Sequence, residues 1–260
     1  MALLTVNTGN YNDLFDDLKT ALGTTLGWTL FDTVSVDEEI YTIPVTTGGF
    51  SPAINPSFMR LFRDNTAFSV RLTIFDSWDA GLDVGTNPIP AIDAPSKNIL
   101  DFSLAIATTA YRIYGDAAEG YIAILHDGTG GLSQSQGYWI GVTEGRATPA
   151  AHPNPNAIFY KTSISAQQAC DFLNLNLSQI NEVAAAFFTL NTWTNATEQH
   201  SGKAPIVSAF AWRGQSGVSE IQGIAKDFFQ CPAALSFGDT ITVGANVHRV
   251  MNGGDYCVKE

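Results

Sequence analysis

Between Ala110 and Val142 the chain reads AYRIYGDAAEGYIAILHDGTGGLSQSQGYWIGV, and few folds accommodate that string. Tyr111 and Ile113 alternate with Arg112 and Tyr114, and Gly115 to Gly120 then supplies a polar, glycine-bounded turn. On the return, Tyr121, Ala123 and Leu125 alternate with Ile122, Ile124 and His126, so both faces of the strand are apolar. Such a strand belongs in the middle of a sheet covered from both sides. After a Gly/Ser/Gln-rich connection, Gly137 to Val142 reads as a third strand. These residues are scaffold, and their pattern names no chemistry.

The flanking segments extend the same architecture. The chain is expected to open with a helix: Asn10 or Asn12 can cap it, and Asp13, Asp16 and Asp17 lie near the positive end of its dipole. Tyr11, Leu14, Phe15, Leu18, Ala21 and Leu22 form its apolar face, and Gly23 stands where a C-terminal stop is expected. Gly27 to Val34 and Glu39 to Val45 read as a strand pair around an exposed turn at Ser35 to Glu38. Thr66 to Phe75 alternates cleanly and is expected to be a half-buried strand, and Ile99 to Ile106 another. Phe68, Val70, Leu72, Ile74, Ile113, Ile122, Ile124 and Leu125 are expected to share one buried sheet core.

In the second half, Ser165 with Gln168 three residues later has the form of a capping box, predicting a short helix from Ala166 towards Leu173. Ile180, Val183, Ala184, Phe187 and Phe188 have helical spacing, although the Phe-Phe-Thr-Leu run fits a strand equally. Strands are expected at Ala204 to Trp212, Val218 to Phe229, Asp239 to Val243, Val247 to Met251 and Tyr256 to Val258. The predicted fold is therefore α+β, mainly antiparallel sheet, with an N-terminal helix and one or two short helices in the C-terminal half. Its expected organisation is a core domain over 1–146, with long loops, and a mainly β region over 147–260 packed on it as one unit.

Charge narrows the partners. The 260 residues carry a net charge of −12 with only 15% charged residues; residues 1–130 hold 16 acids against 6 bases, and residues 131–260 hold 9 against 7. That balance opposes nucleic-acid binding, which needs a basic patch. No stretch approaches the roughly 20 apolar residues of a membrane span, and the N-terminal run turns polar at Asn7 without the basic start of a signal peptide. Cys170, Cys231 and Cys257 are odd in number and lack CxxC spacing, so they read as small buried hydrophobes. A soluble protein made in a reducing cytoplasm is expected.

Catalytic patterns are missing. Gly202-Lys203-Ala204 is no phosphate loop, and Gly214-Gln215-Ser216-Gly217-Val218 misplaces the second glycine of a nucleophile elbow. His126, His152, His200 and His248 stand far apart, and Asp76, Asp79 and Asp83 fail the calcium-loop spacing. No catalytic, cofactor-binding or metal-binding residue is predicted. Tyr138-Trp139, Trp193, Trp212 and Phe228-Phe229 could line a sugar platform or a protein interface, with core packing the default. The long Pro-containing loops Thr46 to Ser57, Asp76 to Asn98 and Glu144 to Asn156 are candidate interaction elements, with Trp78, Asp76, Asp79, Pro88 and Pro90 as interface residues.

The C-terminal strings Glu220-Ile221-Gln222-Gly223-Ile224, Phe228-Phe229-Gln230-Cys231, Phe237 to Gly244, Val247-His248-Arg249-Val250 and Asp255-Tyr256-Cys257-Val258 resemble the ending of a family of virion structural proteins of contractile-tailed bacteriophages. The opening helix before Gly27-Trp28-Thr29, the Glu39-Ile40-Tyr41 strand and Tyr111-Arg112-Ile113-Tyr114 agree in order, whereas Pro88 to Pro95 and Ala147 to Ser165 match nothing in the family. The resemblance implies a non-enzymatic virion building block that forms a homo-oligomeric ring in the neck or tail, like a tail terminator or collar. It would touch sheath, tube or connector proteins. A baseplate component is the alternative within that class. A carbohydrate- or receptor-binding module, and a hydrolase of cell-wall sugars, are the alternatives outside it.

Overall fold

The computed structural model describes residues 2–44, 57–86, 88, 99–101, 107–118, 120–126, 136–142, 156–161, 168–172, 185–187, 207–215, 218–230, 238–250 and 256–260. The chain opens on a strand, β1 (Ala2–Gly9), and only then enters the helix α1 (Tyr11–Lys19). Asn10 is the cap: its side chain accepts from the amides of Asn12 and Asp13, and Asp13 accepts in return from the Asn10 amide. Gly23 does not end the helix. A π-helical turn, Thr20–Thr25, carries it on, and the chain reverses at Gly27, whose φ of +66° is the left-handed conformation glycine adopts without a Cβ clash.

Next come β2 (Thr29–Ser35), β3 (Glu38–Ile43), β4 (Ser57–Asp64) and β5 (Ser69–Phe75). With β8 (Ile99–Asp101) they make a five-stranded antiparallel sheet in the order β2-β3-β4-β5-β8. Between β5 and β8 the expected loop contains a small hairpin, β6 (Ser77–Asp79) and β7 (Val84–Thr86). The expected half-buried strand at 66–75 is instead buried on nearly every residue, because Thr73 and Phe75 on its outer face are covered as well as Val70, Leu72 and Ile74 on its inner face.

The second sheet is built on the central hairpin: β9 (Thr109–Asp116), β10 (Tyr121–His126) and β11 (Gln136–Val142). It continues through β12 (Asn156–Lys161), β13 (Gln168–Phe172), β14 (Ala185–Phe187), β15 (Val207–Gln215) and β16 (Val218–Gln230), and ends with β17 (Thr240–Val243), β18 (Asn246–Val250) and β19 (Tyr256–Lys259). The twelve strands run in the order β1-β9-β10-β11-β12-β13-β14-β15-β16-β19-β18-β17, so one sheet spans both halves of the chain. The one or two short helices expected in the C-terminal half are corrected where those segments are described. Gln168–Phe172 and Ala185–Phe187 are paired strands, and among the described residues α1 is the one α-helix. Cross-strand hydrogen bonds to β12 on one side and β15 on the other outweigh a local capping pattern.

The core lies between the two sheets. Leu14, Phe15 and Leu18 of α1 pack with Leu61, Leu72 and Ile74 of the smaller sheet and Ile113, Ile122 and Ile124 of the larger. The expected single sheet core is thus two sheets facing one another, and Leu125, equally buried, points to the other face. On that face the end of the larger sheet returns. Tyr121 donates to Asp227 at 2.6 Å, the Trp139 indole to the Lys226 carbonyl at 3.1 Å and Tyr114 to Glu260 at 3.1 Å. Register shifts within the β15–β16 pairing bend the sheet so that it can double over. This explains why β10 is apolar on both faces.

Candidate functional site

Trp78 sits in β6, on the outer face of the five-stranded sheet. Its ring meets Phe75 edge to face at 5.3 Å, and its indole nitrogen donates to Asp32 Oδ2 at 2.8 Å. It is therefore a half-buried element of a small outer cluster with Ile40, Phe58, Phe75 and Val34, not a freely projecting anchor. The hairpin that carries it is closed by the Asp76 amide donating to the Thr86 carbonyl at 3.1 Å, and by a Ser77 to Thr86 side-chain bond at 2.7 Å. Asp79 is spent on the turn, accepting from the amides of Gly81 at 2.8 Å and Leu82 at 3.2 Å. Pro88 is half-buried beyond the hairpin, and Pro90 lies outside the described residues.

The structure gathers around Trp78 several residues that the sequence reading did not bring together there. A cleft of about 190 Å³ lies beside it, lined by Glu38, Arg60, Phe75, Asp83 and Val84. Glu38, opposite Phe62 in the register of β3 and β4, pairs diagonally with Arg60 at 2.6 Å, with the guanidinium 4.6 Å from the Phe62 ring. Asp83 is exposed at the hairpin tip with φ +54°, and among the described residues no hydrogen bond or ion pair holds its carboxylate. Large apolar side chains are exposed on both elements that Trp78 and Asp32 link: Leu30 and Phe31 on β2, Val36 in the next turn, and Leu82 and Val84 on the hairpin, with Val84 also lining the cleft. β2 is an edge strand with irregularities at Phe31 and Val34, which break its free edge. Leu30-Phe31, two large apolar neighbours in a strand without a buried residue, is the signal in the sequence that could have marked this surface.

Elsewhere the polar side chains bond to one another. Glu39, buried, accepts from Tyr41 at 2.5 Å and pairs with Lys19 at 2.6 Å; Tyr111 donates to Asp17 at 2.6 Å while Asn7 bonds both. Burial first, and then these carboxylates, push the Tyr41 and Tyr111 hydroxyls well above the ordinary tyrosine range. These bonds tie β1, α1, β3 and β9 together. His248 is buried against Phe229, ring centres 5.0 Å apart, and Cys257 is a buried thiol. His152, His200 and Cys231 lie outside the described residues, and for His126 and Cys170 only the strand backbone is described. Trp28 and Trp139 are sealed on different sides of the larger sheet, Trp193 lies outside the described residues, and Trp212 is described only as part of β15. Among the described residues no three His, Cys, Asp or Glu side chains converge as metal ligands, and no helix is long and apolar enough to cross a membrane. Compared with known families and curated proteins, the chain matches no family model and no curated protein.

Proposed function

We propose that the chain is a structural subunit of a tailed bacteriophage virion, assembling into a ring at the neck or tail in the manner of a tail terminator or collar. Its partners are then copies of itself and neighbouring tail proteins such as sheath, tube or connector. The class rests on the resemblance of the C-terminal strings. The assembly rests on one observation, the exposed apolar side chains Leu30, Phe31 and Val36 of β2 and its turn, and Leu82 and Val84 of the hairpin bonded to β2 through Trp78 and Asp32. Apolar side chains grouped in this way mark surfaces that meet other protein. Such a subunit works by shape and rigidity, and the cross-bonded tyrosines and carboxylates between its layers suit that role. A baseplate position is the alternative for the same subunit. The carbohydrate-binding alternative is disfavoured by the separation of Trp28, Trp78 and Trp139, which share no exposed platform.

The test is the assembly state of the purified full chain, by light scattering and negative-stain microscopy, alone and mixed with the products of its flanking genes. Closed rings are expected, and the double substitution Val36→Asp with Leu82→Asp, at the two most exposed of these side chains, should abolish them without lowering the melting temperature. A chain that stays monomeric in every mixture, or flanking genes that encode no tail proteins, would overturn the proposal.

A further inference from the structure

We infer that the cleft beside Trp78 is a docking site for a basic side chain, arginine or lysine, carried on an apolar segment of another protein. The inference deepens the reading above, on which the identity of that protein as a virion component rests; the docking chemistry itself does not depend on it. Three features of the cleft converge. Its wall is aromatic, Phe75 and Trp78, with Trp78 fixed by its bond to Asp32. Aromatic faces attract a cation over the ring. Its charge is unbalanced: the Glu38 carboxylate is matched by Arg60, but among the described residues no cation pairs with Asp83 at the mouth, and the hairpin segment 76–86 holds no Lys or Arg. Its rim is apolar, because Leu82 and Val84 of the hairpin stand exposed beside it.

The molecule already uses the same chemistry internally. Arg60 lies over Phe62 at 4.6 Å while pairing with Glu38, and Arg63 lies over Phe15 at 4.7 Å while pairing with Asp37. The Trp78 cleft is lined by aromatic rings and, besides the Glu38–Arg60 pair, by the carboxylate of Asp83. A partner's arginine would stack on the aromatic wall and donate to Asp83, a charge-assisted bond stronger than a neutral one, while flanking apolar residues cover Leu82 and Val84. Residues 1–130, with 16 acids against 6 bases, make a basic partner segment the complementary one.

The test uses the full chain labelled with ¹⁵N and two synthetic peptides, acetyl-Gly-Leu-Arg-Leu-Gly-amide and its glutamine counterpart. The Trp78 indole signal is assigned by its disappearance in Trp78→Phe. The arginine peptide is expected to shift that signal saturably, with the glutamine peptide at least about tenfold weaker and the effect fading at high salt. Asp83→Asn should weaken the arginine peptide several-fold while leaving the remaining spectrum in place. Equal effects of the two peptides, or no movement of the Trp78 signal, would sink the inference. A shift that grows with protein concentration in the absence of peptide would put a second copy of the chain in the cleft and overturn it equally. The measurement is made in a Val36→Asp background, which breaks the ring contact proposed above while leaving every cleft residue unchanged, so its failure is distinct from failure of the virion reading.

Discussion

Residue 85 has no room for a methyl group, because a Cβ there would drive into the ring of Phe75 on which Trp78 rests. Gly85→Ala is therefore expected to cost roughly 1–3 kcal/mol through overpacking, seen as a lower melting temperature and a displaced Trp78 indole signal. The buried tyrosines make a prediction in pH. Tyr41, Tyr111 and Tyr114 each donate to a carboxylate, Glu39, Asp17 and Glu260 respectively, and burial followed by these neighbours raises each hydroxyl far above its ordinary range. A raised folded value means that the stabilisation is complete below the unfolded value, about pH 10. It is lost as pH climbs from there through the folded value, since the unfolded chain ionises first. The urea midpoint should fall steeply above about pH 10, and Tyr111→Phe should flatten part of that fall. A midpoint that ignores pH across this range would mean that these hydroxyls are open to water.

At the scale of elements, the two sheets that share the core give a sharper test than either alone. Leu72→Ala in β5 and Ile124→Ala in β10 should each cost about 2–5 kcal/mol, measured by urea unfolding, because both side chains are sealed in the central cluster. Leu125→Ala acts on the opposite face of β10, so its cost should add to that of Leu72→Ala within about 0.5 kcal/mol. The hairpin of β9 and β10 and the strand β11 were legible in the sequence because a glycine-bounded polar turn and two-sided apolarity act locally. The last hairpin was legible for the same reason: Gly244-Ala245-Asn246 separates two alternating runs. β1 was not. At a sheet edge its inward and outward residues are mixed in burial, and Leu3 and Val6 are both exposed. β4 hid its alternation because Phe58 and Phe62 lie outward beside Arg60, so large side chains mark both faces. The misread segment at Gln168 shows a local helix signal overruled by pairing with strands distant in sequence. The interface residues were legible only as a loop with a tryptophan; the bond from Trp78 to Asp32, 46 residues away, and the cleft with Glu38 and Arg60 arise from sheet register alone.

Over the whole molecule, the returning end of the larger sheet is clamped by Glu260, which takes two bonds from Arg249 at 3.0 and 2.8 Å and one from Tyr114. Arg249 also donates to the Gly238 carbonyl at 2.9 Å. The bond from Arg249 foremost holds the Glu260 carboxyl below its ordinary value, against the opposing effect of burial. A depressed folded value gives stabilisation that is present above the unfolded value, about pH 4.3, and lost as pH falls through the folded one. Glu260→Gln should therefore lower the denaturation midpoint at neutral pH and shrink the difference from the parent protein in acid; equal loss at both pH values would show the clamp to be packing rather than charge. The doubled-over sheet also bears on how the chain is made. When the ribosome has delivered residues as far as β11, the strands that will face Lys226 and Asp227 already exist, but Tyr121 and Trp139 must wait, uncovered, for about a hundred more residues, some 5 to 20 seconds of synthesis. During that interval the nascent chain presents a sticky apolar wall, and a cell expressing it quickly or without chaperones should accumulate aggregates seeded by that wall rather than by the finished protein.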